Sequence, residues 1–170
     1  MGEPENNERS AICSSCGGEC CRNRPGIEAP DRFLAEPSPE EALAGALASG
    51  DWVLVRHVGV PWVNGEPPAK EDRYRILFYP RPATLAERGN GEAVAGGEES
   101  PCVFLGPVGC ALPFSRRPRM CQSLEPSAIG DCECEWDQRS AALAWLPWQG
   151  LVEGALRRSA QGPEAGERPR

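Results

Sequence analysis

The sequence predicts a small single domain of the α+β class, with a loop-rich core around its cysteines, a short β-hairpin and a few helices. Three observations predict it. A length of 170 residues suits one domain of ordinary size. The 19 glycines and 18 prolines lie well above their usual combined share of roughly 12 %, which favours short elements joined by loops. A helical pattern is followed by β-rich runs rather than alternating with them.

Residues 38–49 form the clearest helical pattern in the chain. Ser38 stands at the N-cap position and Gly50 at the end, and both residue types are typical of those places. Leu43 and Leu47 are four residues apart, so they share one face of the helix. We expect this face to pack against the core.

Two apolar, β-branched runs at 52–60 and 74–79 predict the strands of a long hairpin. The turn signals Asn64-Gly65 and Pro67-Pro68 lie between them. The single histidine of the chain, His57, lies within the first run. A histidine in that position is more often a packed or edge residue than a metal ligand.

The rest of the chain predicts shorter elements. A strand is expected at 102–105, a helix from near Arg116, and another helix at about 138–146. The Gly- and Glu-rich segment 86–101 has almost nothing to bury and predicts a mobile surface loop.

These patterns divide the chain into three parts. Residues 1–11 are polar and predict a flexible N-terminus. Residues 12–150 hold the cysteines and the predicted elements, so they form the expected domain. Residues 151–170 predict a helical turn or two followed by a polar tail.

Charge and hydropathy exclude several classes of protein. The formal net charge is −7 and the pI is about 4.9, which argues against nucleic acid as a general partner, because phosphates require a basic surface. No apolar run is long enough to span a membrane. The first dozen residues resemble neither a secretory leader nor a lipidation signal, so a cytoplasmic location is expected. Thiols stay reduced in that compartment unless a metal holds them.

The nine cysteines fall in two blocks and predict metal ligation. Four lie within nine residues, in the pattern Cx2Cx3CC, and the others return from later elements. Thiolates are soft donors that select zinc or iron–sulfur clusters, and neighbouring glycines allow a loop to wrap a metal. The predicted ligands are Cys13, Cys16, Cys20, Cys21, Cys102, Cys110, Cys121 and one of Cys132 or Cys134.

Spacing leaves the number of metal centres open. Eight or nine thiolates could form two Cys₄ sites or one multi-metal cluster, and the adjacent pair Cys20 and Cys21 suits two neighbouring centres better. Small buried hydrophobes or disulfides are the simpler explanation for scattered cysteines, but an odd count leaves one unpaired. A set of arginines either offsets the negative charge of a thiolate centre or belongs to the solvated surface: Arg22, Arg24, Arg116, Arg117 and Arg119.

With these residues in view, the chain resembles the YkgJ-like cysteine-cluster family, which is defined by a CxxCxxCC signature and chelates zinc or iron. The first matching block, at 13–22, reads CSSCGGECCR and carries one extra residue between Cys16 and Cys20. The second, at 102–124, reads CVFLGPVGCALPFSRRPRMCQSL, with Gln122 where arginine is usual. A further cysteine ten to fifteen residues on is expected, and Cys132 or Cys134 fills it. The two blocks span about a quarter of the chain.

The resemblance implies that these cysteines bind a metal. A similar cysteine domain accompanies flagellin lysine methylases, so an iron–sulfur cluster stays possible beside zinc. The leading interpretation is therefore a zinc- or iron-binding protein. The alternative is a redox or metal-dependent enzyme that uses the cluster for chemistry, and a disulfide-stapled protein is a third reading. The residues leave open whether the chain is an enzyme and which protein partner it has.

Overall fold

The structure is a computed structural model that describes residues 21–22, 25–107, 109–126, 132–133 and 136–161. The predicted flexible segment 1–11 lies outside the described residues. The elements in chain order are α1 (Asp31–Leu34), α2 (Pro39–Ala48), β1 (Trp52–Val58), β2 (Ile76–Pro82), β3 (Leu105–Gly106), β4 (Gly109–Cys110), α3 (Arg119–Ser123), β5 (Glu125–Pro126), β6 (Cys132–Glu133), α4 (Gln138–Trp145) and α5 (Gln149–Gln161).

The predicted α+β class is confirmed, because helices accompany three antiparallel strand pairs in the described part of the chain. The largest pair is the β1–β2 hairpin, which aligns Trp52 with Pro82 and Val58 with Ile76. Strand β2 begins later than the predicted 74–79 and continues further. Pro80 and Pro82 hid this extension, since proline within a run is evidence against a central strand, whereas a two-stranded sheet tolerates it at an edge.

Three helices cover the hairpin. The predicted helix at 38–49 is confirmed as α2, although the Ser38 side chain makes no capping hydrogen bond. Helix α2 packs on β1 and on α5, while α4 and α5 pack on β2. Helix α4 starts at an N-cap, Asp137, whose side chain accepts a 2.7 Å hydrogen bond from the Ser140 N–H. The helices thereby form one layer against the hairpin.

The core lies between the hairpin and the helices. Trp145 is its largest fully buried side chain, and its indole N–H donates to the Glu28 carbonyl at 2.9 Å, which satisfies the polar atom of the ring. Phe33 lies 6.0 Å from Trp52 and 6.1 Å from Trp145, measured between ring centroids. The connection 25–30 is therefore attached to the core by the hydrogen bond at Glu28, and α1, which follows it, by the Phe33 ring.

Helix α5 crosses the C-terminal boundary predicted at residue 150. Helix α5 has 13 residues instead of a turn or two, and Val152 and Ala155 belong to the core, with exposed fractions of 1 % and 0 %. The helix contains Gly150 and Gly154, which lower helix propensity and weaken the sequence signal. Gly154 lets the Glu40 carboxylate of α2 lie close to the helix backbone, and a Cβ there would force that side chain to move.

The segment 86–101, predicted as a mobile surface loop, is hydrogen-bonded to the central hairpin. It runs along β1, where the Leu54 N–H donates to the Gly91 carbonyl and the Ala93 N–H donates to the Leu54 carbonyl, both at 2.9 Å. Glu87 is fully buried. The segment thus covers the outer edge of β1 through backbone hydrogen bonds, which composition does not reveal.

The side chain of Gln149 acts as a strand partner for β2. Its Oε1 accepts from the Phe78 N–H at 2.8 Å, and its Nε2 donates to the carbonyls of Phe78 and Trp145, each at 2.9 Å. We expect Gln149→Leu to lower the free energy of unfolding by about 1–3 kcal/mol, because it leaves buried backbone groups without partners. Urea unfolding followed by circular dichroism measures the loss.

The control for that variant is Gln138→Leu, at an exposed position at the start of α4. Surface substitutions of this kind change stability by about 0.5 kcal/mol or less. Equal urea midpoints for the two variants would contradict the role assigned to Gln149.

No helix in the described ranges is long and apolar enough to cross a membrane.

Candidate functional site

Cys21 and Cys102 are held together by their backbones. The Cys102 N–H donates to the Cys21 carbonyl at 2.8 Å, and both residues are buried, with exposed fractions of 7 % and 5 %. Cys102 is fixed from the other side by an antiparallel bridge to Thr84, just beyond the end of β2. The first cysteine block therefore meets the second at the end of the central hairpin.

The short β3–β4 hairpin presents Cys110. Leu105 pairs with Cys110 in this hairpin, and the Leu105 N–H donates to the Cys102 carbonyl at 2.9 Å. Gly109 has a φ of 105°, a left-handed value that glycine adopts without strain. The predicted strand at 102–105 is thus replaced by a single bridge at Cys102 and the short strand β3. The short connection between β3 and β4 brings Cys110 back toward Cys21.

The Cys110 sulfur lies among groups that stabilise its thiolate. Its pKa is lowered to about 6, first by a hydrogen bond from the Cys21 thiol; burial acts in the opposite direction, and the Leu112 N–H and the Arg117 guanidinium lower the pKa further. The thiolate is the form of cysteine that ligates metals and attacks electrophiles. The surroundings of Cys110 therefore favour both kinds of chemistry.

Arg117 is a buried cation beside Cys110. It is buried, with an exposed fraction of 4 %, and its Nε donates to the Leu112 carbonyl at 3.1 Å. Its Cζ lies 5.6 Å from the centroid of the Phe114 ring. The sequence left two roles open for Arg117: a solvated surface residue, or a cation that offsets the negative charge of the thiolates. Its burial beside Cys110 favours the second role. Arg22, Arg116 and Arg119 are exposed.

Cys121 lies in α3, whose first turn is attached to the connection 25–30. The Met120 N–H donates to the Ile27 carbonyl and the Arg119 N–H to a Glu28 carboxylate oxygen, both at 3.0 Å. The Cys121 sulfur packs so closely on Gly26 that a Cβ there would overlap it. The helix predicted from near Arg116 is thus a 3₁₀ turn at Phe114–Arg116 followed by α3.

The nine predicted ligands are described to different extents. Cys21, Cys102, Cys110 and Cys121 are described in full, and the structure brings the first three into one neighbourhood. The backbone of Cys132 lies in β6. Among the described residues, no group of three or more His, Cys, Asp or Glu side chains is arranged to hold a metal ion. The remaining predicted ligands lie outside the described residues: Cys13, Cys16, Cys20 and Cys134.

His57 is a packed residue of β1, as predicted. It is half-buried, its ring centroid lies 6.4 Å from that of Tyr79, and burial lowers its pKa.

Sequence reasoning missed a buried ion pair next to Cys102. Arg81 and Glu87 form a two-pronged pair with both distances at 2.7 Å, and Glu87 also accepts from the N–H and the hydroxyl of Thr84, each at 3.0 Å. The spacing Thr84-x-x-Glu87 matches a capping box and is the signal that could have revealed it. The pair fixes the backbone that bridges to Cys102.

No family model matches the chain, and no curated protein or solved structure matches it. The residues and geometry above therefore carry the functional argument.

Proposed function

We propose that the chain binds zinc or iron, the latter as an ion or an iron–sulfur cluster, through its cysteine thiolates. The observation that carries the proposal is the hydrogen-bonded contact between Cys21 and Cys110, two thiols from opposite cysteine blocks. Soft thiolates select these metals. Cys21 and Cys110 would be ligands, and Cys102, adjacent through its backbone, is the third candidate. Cys13, Cys16 and Cys20 precede Cys21 closely enough in sequence to complete a set.

Charge supports this assignment. A zinc ion with four thiolates carries a net charge of about −2, which is costly in a buried place without a compensating cation. Arg117 supplies such a cation, because it is buried and donates to the Cys110 sulfur. The resemblance of the two cysteine blocks to the YkgJ-like family agrees with this proposal.

Elemental analysis of the anaerobically purified full chain tests the proposal. We expect stoichiometric zinc in a colourless protein, or iron and sulfide with absorbance near 400 nm. Cys110→Ser removes a ligand, so we expect it to lose at least half of the metal, since each ligand set must close around the ion. The proposal fails if the wild-type chain contains only trace metal and all of its thiols react as free thiols.

The control variant is His57→Gln, which removes the histidine from β1 without touching a cysteine. We expect its metal content to equal that of the wild type. A loss equal to that of Cys110→Ser would instead mean that metal content follows general stability.

The lowered pKa of Cys110 and its contact with Cys21 also favour a second candidate, a redox enzyme in which these two thiols or a cluster exchange electrons. Absorbance near 400 nm that bleaches on reduction and returns on reoxidation would indicate a redox cluster, and reversible loss of two titratable thiols on treatment with a disulfide oxidant would indicate the thiol pair. A colourless protein whose thiol count does not change would exclude both.

A further inference from the structure

One stretch of the outer edge of β1 has no strand beside it. In the described part of the chain, the segment 86–101 hydrogen-bonds to this edge at Leu54 alone. Backbone groups that face the partner strand alternate with groups that face away from it, so the next residues on the same side as Leu54 are Arg56 and Val58. Their N–H and carbonyl groups make no hydrogen bond to any described residue.

The register of the hairpin supports this orientation. Arg56 is aligned with Phe78 and Val58 with Ile76. The Phe78 N–H faces away from β1, since it donates to Gln149 Oε1 at 2.8 Å. Its register partner Arg56 therefore faces away from β2, and so does Val58, two residues further on. Four backbone groups are thus open on this edge, which is the arrangement that recruits another strand.

The side chains at this end of the hairpin are exposed and largely apolar. Val58 and Ile76 have exposed fractions of 58 % and 42 %, and Tyr74, just before β2, has one of 83 %. They lie at the opposite end of the hairpin from Cys102, which bridges to Thr84 beyond the end of β2. A strand added here would cover apolar surface without reaching the cysteines.

Charge favours a second copy of this chain as the occupant. The formal net charge is −7, so most of the surface of one copy repels another. The stretch 56–76 is different, because its four basic and three acidic side chains leave it with a net charge of +1. Two copies can therefore approach each other through this end of the hairpin without the repulsion of their acidic remainder.

We infer that the chain forms a two-fold symmetric dimer in which the β1 edges of two copies pair antiparallel about His57. Arg56 of each copy then lies opposite Val58 of the other, and each such pair exchanges two backbone hydrogen bonds. This register avoids placing Arg56 directly opposite Arg56 of the second copy, which would be destabilising. The pairing ends at Gly59, whose φ of 83° turns the chain out of the strand.

The dimer joins two hairpins into one four-stranded sheet. Both copies use the same surface, as a closed two-fold interface requires. The inference goes beyond the proposed metal function and does not require that a metal be bound.

Sedimentation equilibrium of the full chain under reducing conditions tests the dimer, because reductant excludes disulfide-linked species. We expect the average mass to rise from 18.3 kDa toward twice that value between micromolar and millimolar concentration. Val58→Pro removes an edge N–H, so each copy loses an interchain hydrogen bond and the dimer Kd should weaken about tenfold or more. Proline is tolerated on a strand edge whose N–H faces solvent, so the circular dichroism spectrum of this variant should match the wild type.

The control is Val58→Thr, which keeps both the N–H and the β-branched shape at the same position. We expect it to change the dimer Kd much less than Val58→Pro does. Equal weakening in both variants would mean that side-chain contact rather than strand pairing holds the copies together, which would overturn the inference. A chain that stays monomeric at millimolar concentration would overturn it as well.

Amide hydrogen exchange of the wild type gives a readout that depends on no variant. The Arg56 and Val58 amides should exchange fast in dilute protein and become protected as concentration rises. The Val55 amide faces β2 within the hairpin, so its protection should not follow concentration. Fast exchange at Arg56 and Val58 in a sample that sediments as a dimer would place the interface elsewhere and refute the pairing.

Discussion

Arg81→Met is expected to lower the free energy of unfolding by about 3–5 kcal/mol, because it strands a carboxylate in the interior. Glu87 has no exposed surface, and Arg81 is 6 % exposed. Methionine keeps the length of the arginine stem but removes both 2.7 Å hydrogen bonds to Glu87. Guanidinium chloride unfolding followed by tryptophan fluorescence measures the change.

The matched control is Arg88→Met, which breaks the exposed ion pair with Asp51 at 2.9 Å. Arg88 is 59 % exposed, and exposed pairs contribute about 0–1 kcal/mol.

In the double variant Arg81→Met with Glu87→Gln, we expect most of the lost stability to return. The amide is neutral, and its oxygen still accepts from Thr84. Equal losses in Arg81→Met and Arg88→Met would contradict the importance of the buried pair.

The pH dependence of Arg81→Met provides an independent check. In the wild type, burial of Glu87 would raise its pKa, but hydrogen bonds from Arg81 and Thr84 outweigh burial and hold the pKa below its ordinary 4.5. The contribution of the pair is therefore complete above pH 4.5 and is lost as pH falls through the lower folded pKa. In Arg81→Met burial dominates, the pKa rises, and acid protonates the stranded carboxylate. The stability difference between the two proteins should therefore shrink as pH falls.

Local patterns were sufficient to predict the parts of the fold that depend on neighbours in sequence. Helix α2 follows from the apolar spacing of Leu43 and Leu47, and β1 follows from its β-branched run. Helix α2 buries both leucines, and β1 buries its first three residues, Trp52 to Leu54, but leaves Val58 58 % exposed. Helix α5 and the segment 86–101 could not be predicted in this way. Gly154 of α5 packs on Glu40, which is distant in sequence, and Glu87 is buried through its ion pair with Arg81, which composition alone does not reveal.

The same distinction between local sequence patterns and tertiary contacts applies to the candidate site. Cysteine spacing predicted nine candidate ligands in two blocks, since soft ligands are rare enough for their clustering to carry information, but it did not indicate that Cys21, Cys102 and Cys110 in particular lie close together. It could not decide whether Arg117 or Arg119 balances the charge, because the two arginines differ in burial and not in sequence context. Glu28 carried no motif at all, and its role comes from hydrogen bonds made by α1 and α3.

If the chain binds a metal as proposed, its removal is expected to produce the largest loss of stability in this protein. Cys21, Cys102 and Cys110 belong to separate segments joined at the site by short backbone contacts, such as the 2.8 Å hydrogen bond from Cys102 to Cys21. A shared metal would cross-link these segments in the folded state alone. Structural zinc binds zinc-finger peptides with about 10–16 kcal/mol of apparent free energy, so chelation should remove several kcal/mol of folding stability.

Urea unfolding of the full chain, under reducing anaerobic conditions with and without a strong chelator, measures this coupling. We expect a large downward shift of the urea midpoint for the wild type on chelation. Cys110→Ser should start from a low midpoint and respond little, because its ligand set is already incomplete. Ala111→Ser introduces the same side chain at the neighbouring exposed position and should keep the full response to the chelator. If Cys110→Ser keeps that full response, Cys110 is not a ligand. If the wild type does not respond, metal ligation does not stabilise this fold.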